Sequence, residues 1–342
     1  MGCADGIDGR RDRRRTTAPR VPSWSATRAS ASANCGRAKR LPRSISSALK
    51  WSRGSTGAGA VADARGESSR TAASPVASAS SPGPSTLKHD RTFTRETVVM
   101  RVAVISDIHG NRHAFEAVLD AIERSQCREL WCLGDLVGYG AEPDACVELA
   151  QRHAAICLAG NHDLGVRGEI PLERFSRGAA LAARWTQETI SASTREYLDG
   201  LAPANLDEAV GLFHASPRDP VWEYVLASLQ AELCLDAQQH RVCLIGHSHV
   251  ALSFSRAAGA AATGQTRDPG EELDLTTGEW LVNPGSVGQP RDGDPRAAWL
   301  ELDLECWSAA YRRVEYDVAG AAAAIRAARL PDSLAERLAF GQ

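Results

Sequence analysis

Residues 102–111 of this chain read Val-Ala-Val-Ile-Ser-Asp-Ile-His-Gly-Asn. The apolar, mostly β-branched start of this stretch predicts a strand of a parallel sheet that is buried on both faces. In open α/β sheets, ligands bind beyond the carboxyl ends of such strands. Asp107 and His109 stand at that end. The stretch therefore predicts the class of fold and also the start of a metal site.

Two further apolar runs follow the first, each after a segment long enough for a crossover helix. Apolar residues at helical spacing separate the runs, which gives the order strand, helix, strand, helix, strand. This order is typical of a parallel sheet with right-handed crossovers. The predicted strands are 102–105, 130–133 and 154–158, and the predicted helices are 112–125 and one that begins at Pro143.

The remainder of the chain adds two apolar runs and then changes character. Residues 210–213 and 242–245 each end on histidines, and helical segments are predicted over 172–201 and 222–235. Alternating stretches then predict antiparallel strands, which we expect to form a second sheet packed on the first, followed by an Ala-rich helix. These strands are predicted at 280–283, 297–304 and 309–317, and the helix at 319–330.

The segment before Met100 differs in composition from everything after it. Residues 1–99 hold 18 Lys and Arg against 7 Asp and Glu, whereas the rest of the chain holds 21 against 35. This segment is rich in Ser, Ala, Gly and Pro without apolar periodicity, which predicts disorder. It could be a basic nucleic-acid-binding tail, a transit peptide or translated sequence upstream of a true start at Met100. We favour the third, with a folded domain over 100–342.

Composition also restricts the class of protein. The chain has no run of about 18 apolar residues and no secretory signal, so we expect a soluble, cytoplasmic protein with no membrane partner. Seven of the nine cysteines follow Met100, most of them within apolar runs and without zinc-finger spacing. Buried, reduced thiols are therefore expected.

Five apolar runs each end in candidate metal ligands, which argues against chance placement. Carboxylate, imidazole and amide groups without thiolate suit Mn²⁺, Fe, Zn²⁺ or Co²⁺. The groups exceed the needs of one ion, and two cations sharing a carboxylate could hold a bridging hydroxide for attack on phosphorus. Phosphoester hydrolysis is the predicted reaction. The candidates are Asp107, His109, Asp135, Asn161, His162, His214, His247 and His249.

In this order, Asp-x-His, Gly-Asp, Gly-Asn-His-Asp, a later His and Gly-His-x-His resemble the calcineurin-like metallophosphoesterase superfamily. The resemblance implies an α/β fold that is a four-layer α/β/β/α sandwich of two mixed sheets flanked by helices. It implies that His162 is a catalytic residue that protonates the leaving oxygen or stabilises its charge, and that Asp163 orients it. It implies one ion on Asp107, His109, Asp135 and His249, and a second on Asp135, Asn161, His214 and His247.

Segments around Asp135, His214 and Asn283 further resemble the bacterial and archaeal phosphodiesterase-like branch. Ser/Thr protein phosphatases and symmetric diadenosine-tetraphosphate hydrolases of the superfamily carry Asp-Arg where this chain has Gly138 and Tyr139. This departure counts against both activities. We expect a phosphodiesterase with a small phosphoester substrate and no nucleic-acid partner for the folded domain. Two divalent ions are expected, with Mn²⁺ favoured and Fe, Zn²⁺, Co²⁺ or Ni²⁺ as alternatives.

Four further residues are candidates for binding substrate, and two alternative functions remain open. Arg291 and Arg296 flank a turn, and one of them could reach substrate phosphate, while Asn283 and Ser286 are further substrate-binding candidates. For Trp222 and Tyr224 we favour packing in a helix core over stacking on a base. The alternative functions are a phosphatase acting on nucleotides, dinucleoside polyphosphates or phosphoproteins, and a non-catalytic metal-binding scaffold of the same fold.

Overall fold

The computed structural model describes residues 101–342. The segment 1–99, for which the sequence predicts disorder, lies outside the described residues. The described strands are β1 Arg101–Ile105, β2 Glu129–Cys132, β3 Ile156–Cys157, β4 Ala204–Asn205, β5 Gly211–Phe213, β6 Val242–Leu244, β7 Ala251–Arg256, β8 Thr263–Thr266, β9 Glu272–Asp274, β10 Glu279–Pro284, β11 Ala297–Asp303 and β12 Ser308–Val314. The helices are α1 Arg112–Glu123, α2 Pro143–His153, α3 Asn161–Arg167, α4 Arg177–Thr189, α5 Ala192–Asp199, α6 Ser228–Ala237, α7 Val318–Ala327 and α8 Asp332–Glu336, with 3₁₀ turns at Leu172–Arg174 and Arg337–Phe340.

The strands form two mixed sheets of six strands each. The first sheet has the order β3-β2-β1-β11-β12-β9, in which β1 pairs parallel to β2 and antiparallel to β11. The second has the order β4-β5-β6-β10-β7-β8, in which β6 pairs parallel to both β5 and β10. The five ligand-bearing apolar runs are therefore divided between the sheets, with β1, β2 and β3 in the first and β5 and β6 in the second.

The core explains why the first strand is apolar on both faces. Ala103 and Ile105 point to a cluster that includes Phe115 of α1. Val102 and Val104 point the other way, into a cluster shared with Leu244 and other residues of the second sheet. A third cluster packs the far face of the second sheet against α6. The layers are helix, sheet, sheet and helix, which confirms the predicted fold class.

Three further sequence-based expectations can be compared with the structure. Strands β11 and β12 extend the first sheet instead of forming a second one, because β11 occupies the open edge of β1. Cys132, Cys146, Cys234 and Cys243 are buried thiols outside any disulfide, as expected. Within residues 101–342, no helix has the length and apolarity needed to cross a membrane.

Candidate metal centre

The loops that follow β1, β2, β5 and β6 meet the N-terminus of α3 at one edge of the two sheets. The seven candidate ligand side chains and His162 are buried at this edge, with 0 to 4% of their surface exposed. Burying so many polar and ionisable groups lowers the free energy of unfolding unless the groups are paired or bind an ion. The residues are Asp107, His109, Asp135, Asn161, His162, His214, His247 and His249.

The backbone at this edge adopts a conformation that L-residues rarely take. Within residues 101–342, eight non-glycine residues have a positive φ, and six of these line the edge. Such conformations cost about 1–3 kcal/mol each and persist only where the surrounding structure fixes them. Here they turn the side chains at strand ends toward one another. The six are Asp107, His109, Asp135, Tyr139, His247 and His249, with φ between 51° and 63°.

Two groups of ligand atoms can be separated. The carboxylate and imidazole atoms of Asp107, His109, Asp135 and His249 lie within 4.8 Å of one another, and so do those of Asp135, His214 and His247. Asp135 belongs to both groups. Its Oδ2 atom is 3.5 Å from Nε2 of His109 and 3.6 Å from Nε2 of His214, while Oδ1 accepts the backbone N–H of His162.

The amide of Asn161 stands beside the second group. Its Oδ1 atom lies 3.2 Å from Nε2 of His214. Asn161 is the first residue of α3, and it follows the third apolar run of the sequence. The structure therefore brings all seven predicted metal ligands together.

Backbone carbonyls fix the tautomer of three of the histidines. Nδ1 of His109 donates to Val137 O at 3.1 Å, Nδ1 of His214 to Leu133 O at 3.0 Å, and Nδ1 of His249 to Gln289 O at 2.6 Å. A carbonyl oxygen only accepts, so each Nδ1 carries the hydrogen and each Nε2 presents a lone pair to the site.

This arrangement leaves buried electron pairs that a bound cation would satisfy. Nε2 of His109 and Nε2 of His249 face each other at 3.1 Å with no hydrogen between them. Asp107 Oδ1, Asp135 Oδ2 and His247 Nε2 are buried and have no hydrogen-bond partner among the described residues. Because every such atom points to one of the two groups, the residues fit divalent metal ions with nitrogen and oxygen ligands.

Burial shifts the protonation of these side chains when no ion is present. It raises the pKa of Asp107 to about 7 and raises that of Asp135 well above its usual value, and the neighbouring Asp163 raises it further. Burial likewise lowers the pKa of His109, His247 and His249 well below the usual value. Neutral imidazoles are the form that binds metal, and a bound cation would favour the ionised carboxylates.

His162 lies beside the ligands without joining either group. Its ring centroid is 4.8 Å from that of His109, 4.5 Å from Tyr139 and 5.0 Å from Phe175. Its Nδ1 atom is buried and unpartnered among the described residues. Burial, reinforced by the charge of Arg291, lowers the pKa of His162 to about 3 in the metal-free protein.

Asp163 has a different position from the one expected for a residue that orients the His162 ring. Its carboxylate accepts the backbone N–H groups of Asp135 and Gly160 at 2.8 Å and of Val137 at 3.2 Å. These three bonds tie the loop after β2 to the start of α3. Asp163 is therefore placed to position the Asp135 loop.

Gly138 makes room for the His162 ring. Its φ is +91°, and a Cβ atom on it would lie 2.4 Å from Nδ1 of His162. We expect Gly138→Ala to lower kcat about 10- to 100-fold with metal content retained, because the ring must move by about 1 Å. Gly259→Ala is the matched control, since Gly259 has φ +75° and open space around it. Equal kinetics in the two variants would contradict this account of His162.

Of the two candidate arginines, one lies beside the metal centre and the other does not. Arg291 donates to the hydroxyl of Tyr139 at 3.3 Å, and its backbone N–H donates to His249 O. The charge of Arg291 lowers the pKa of Asp107, Asp135 and His162, as expected for a guanidinium group beside the metal centre. Arg296 instead forms a two-pronged ion pair with Asp294 and is not brought to the group.

Asn283 and Ser286 support the loops and have no exposed surface. Asn283 donates to Gly246 O at 2.7 Å and to Ser248 Oγ at 3.0 Å, which holds the loop that carries His247 and His249. Ser286 donates to Asp107 O at 2.8 Å. In this structure both side chains are buried and hydrogen-bond to loops of the metal centre.

An aromatic wall that the sequence analysis missed borders His247. The Tyr224 ring stacks on that of His247 at 4.1 Å, and Trp222 packs against Phe175 at 5.2 Å. The expectation of helix-core packing is wrong, because Asp219 accepts the N–H of Trp222 in a turn and α6 begins only at Ser228. In the sequence, this wall is indicated only by the positions of Trp222 and Tyr224, which stand eight and ten residues after His214.

Comparison with known proteins agrees with this geometry. Residues 100–305 match the family model of the calcineurin-like phosphoesterase superfamily domain. An uncharacterized protein of Methanocaldococcus jannaschii is 36% identical over 247 residues, which is 70% of this chain and 98% of that protein.

Two solved structures are similar. A metallophosphoesterase from Sphaerobacter thermophilus has a TM-score of 0.64 and 38% identity, with 71% of this chain and 100% of that chain covered. A hypothetical protein from Pyrococcus horikoshii OT3 has a TM-score of 0.59 and 20% identity, with 71% and 99% covered. The second likeness concerns the fold alone.

Proposed function

This chain belongs to the calcineurin-like phosphoesterase superfamily, and on that premise we propose that it hydrolyses phosphodiesters with two divalent metal ions. One observation carries the proposal. A single unpartnered oxygen, Oδ2 of Asp135, lies 3.5–3.6 Å from one imidazole of each ligand group. A carboxylate in this position can bridge two ions, which is the arrangement needed for in-line displacement at phosphorus.

Each side chain then has a definite task. Asp107, His109 and His249 would hold one ion, Asn161, His214 and His247 would hold the other, and Asp135 would contribute to both. Bound there, the ions would supply Lewis acidity at the phosphoryl group and lower the pKa of the attacking water.

We assign to His162 the role of donor to the leaving oxygen. It lies against His109, it is not part of either ligand group, and it has a free ring nitrogen among the described residues. A positioned donor of this kind commonly contributes 10²–10⁴-fold to rate. Asp163 acts through the backbone by holding the Asp135 loop in place.

The preference for a diester is supported by the wall of Phe175, Trp222 and Tyr224. Phe175 contacts the His162 ring, and Tyr224 contacts the His247 ring. The wall therefore offers an apolar face to the second organic substituent on the phosphorus of a diester. A monoester has no such substituent. Gly138 and Tyr139 in place of Asp-Arg also separate this chain from the pattern of protein phosphatases.

We further propose that the catalytic domain extends over 100–342. Residues of α7, α8 and the final 3₁₀ turn pack with Tyr139, whose ring lies 4.7 Å from that of His109. The segment after residue 305 therefore shapes the surroundings of the site. That the metal is Mn²⁺ and that the protein is cytoplasmic stay predictions.

Hydrolysis of bis-p-nitrophenyl phosphate, compared with p-nitrophenyl phosphate, tests the proposal. With Mn²⁺ we expect a higher kcat/KM for the diester, loss of activity after chelation, and recovery when Mn²⁺ is added back. A preference for the monoester would favour the phosphatase alternative. No turnover of either substrate with any divalent ion would favour the scaffold alternative.

A further inference from the structure

Two guanidinium groups converge on the ring of Tyr139, just outside the metal centre. The central carbon of Arg291 lies 5.7 Å from the ring centroid, and that of Arg337 lies 6.0 Å from it. The same ring is 4.7 Å from His109 and 4.5 Å from His162. The two positive charges are therefore one aromatic ring away from the reacting groups.

Neither guanidinium is neutralised by a neighbour in the described part of the chain. Among residues 101–342, neither group forms an ion pair within 4 Å, whereas other partly buried arginines there, such as Arg101, Arg256 and Arg313, do. Within the same residues, the Arg291 side chain donates to Tyr139 and Gln289, and its Nε atom is buried without a partner. Burial and the charge of Arg291 lower the pKa of Arg337.

Such an arrangement is costly for the protein alone. Like charges on half-buried side chains repel each other, and an unpartnered buried N–H loses its hydrogen bond to water. A dianion between them would restore the missing bonds, because planar guanidinium groups match the oxygens of phosphate. The Tyr139 hydroxyl accepts from Arg291 and has its own hydrogen left to donate.

We propose that Arg291, Arg337 and the Tyr139 hydroxyl bind a second phosphate group of the substrate, separate from the phosphorus that is attacked. The proposal rests on the proposed function and adds a substrate class, namely phosphodiesters that carry another phosphate a few bonds away. Two divalent cations beside two guanidinium groups give the site an excess of positive charge, which a polyanionic substrate balances.

A matched pair of chromogenic diesters tests this. The p-nitrophenyl ester of thymidine 5′-monophosphate and the same ester with an added 3′-phosphate share the leaving group and differ in one anion. With the Mn²⁺-loaded full chain, we expect kcat/KM to be about 10- to 100-fold higher for the 3′-phosphorylated ester, as for hydrogen bonds to charged groups. In Arg337→Gln the ratio should fall to within about threefold of unity, and Arg337→Lys should recover part of it.

Arg184→Gln is the control variant, because Arg184 is exposed on α4. The control should keep the wild-type ratio. Equal kcat/KM for the two esters in the wild type, or an unchanged ratio in Arg337→Gln, would overturn the proposal.

Equilibrium binding gives a readout that does not depend on turnover. Calorimetry with Mn²⁺-loaded protein should show thymidine 3′,5′-bisphosphate binding at least about tenfold more tightly than thymidine 5′-monophosphate, with the difference lost in Arg337→Gln. If neither ester is hydrolysed but this difference is found, the proposed function fails and the phosphate site stands. Equal affinities would reject the phosphate site.

Discussion

Replacing Asp135 with asparagine is expected to lower kcat/KM for bis-p-nitrophenyl phosphate by at least about 1,000-fold, since several kcal/mol of transition-state stabilisation depend on the ions. Oδ2 of Asp135 lies 3.5 Å from Nε2 of His109 in one ligand group and 3.6 Å from Nε2 of His214 in the other. An amide in its place cannot carry the bridging charge, so both ions should bind more weakly. Kinetics and metal content measured on the same sample check this.

The same variant should behave in the opposite way when metal is absent. In the metal-free wild type, burial raises the pKa of Asp135 well above its usual value, which favours the protonated acid. An acid has one hydrogen to donate, whereas two imidazole lone pairs face its Oδ2 atom. The NH₂ group of an asparagine could donate toward both. We expect metal-free Asp135→Asn to be more stable than metal-free wild type by about 1–3 kcal/mol.

Asp120→Asn on the exposed face of α1 is the matched control and should change neither property. Near-normal turnover in Asp135→Asn would show that the carboxylate is not shared.

The second large effect is expected for His162→Ala. Loss of the donor should lower kcat about 10²- to 10⁴-fold, and the loss should grow as the leaving group becomes poorer. Both ions should remain, because the His162 ring belongs to neither ligand group. A series of aryl phosphodiesters with leaving groups of different pKa measures the first effect, and metal analysis measures the second.

His153→Ala provides the control for His162→Ala, because His153 is exposed at the end of α2. Loss of metal in His162→Ala would instead make His162 a ligand. A rate loss that is the same for good and poor leaving groups would contradict its role at the leaving oxygen.

The sequence was sufficient to predict which polar side chains meet at the edge of the sheets, because each one follows an apolar run directly. Asp107 and His109 come after β1, and His247 and His249 come after β6. Such placement is a local property of the chain, and strand ends of α/β folds gather at one edge. The fold class could be predicted for the same reason, through the order and periodicity of the runs.

Other features depend on contacts between distant parts of the chain. The division of the strands between two sheets is decided by pairings such as β1 with β11, about 200 residues apart. Asn283 and Ser286 were expected to touch substrate, but the bonds that bury them run to loops far away in sequence. Arg337 reaches Tyr139 only because the C-terminal helices fold back over the site. No local pattern contains this information.

The central claim, that two ions share Asp135, is tested most directly by counting Mn²⁺ and recording its electron paramagnetic resonance spectrum. The full chain is freed of metal, loaded with Mn²⁺ and dialysed. We predict two ions per chain with a spectrum of two magnetically coupled ions, and loss of the coupling in Asp135→Asn. One ion per chain, or two ions with uncoupled six-line spectra in the wild type, would contradict the claim.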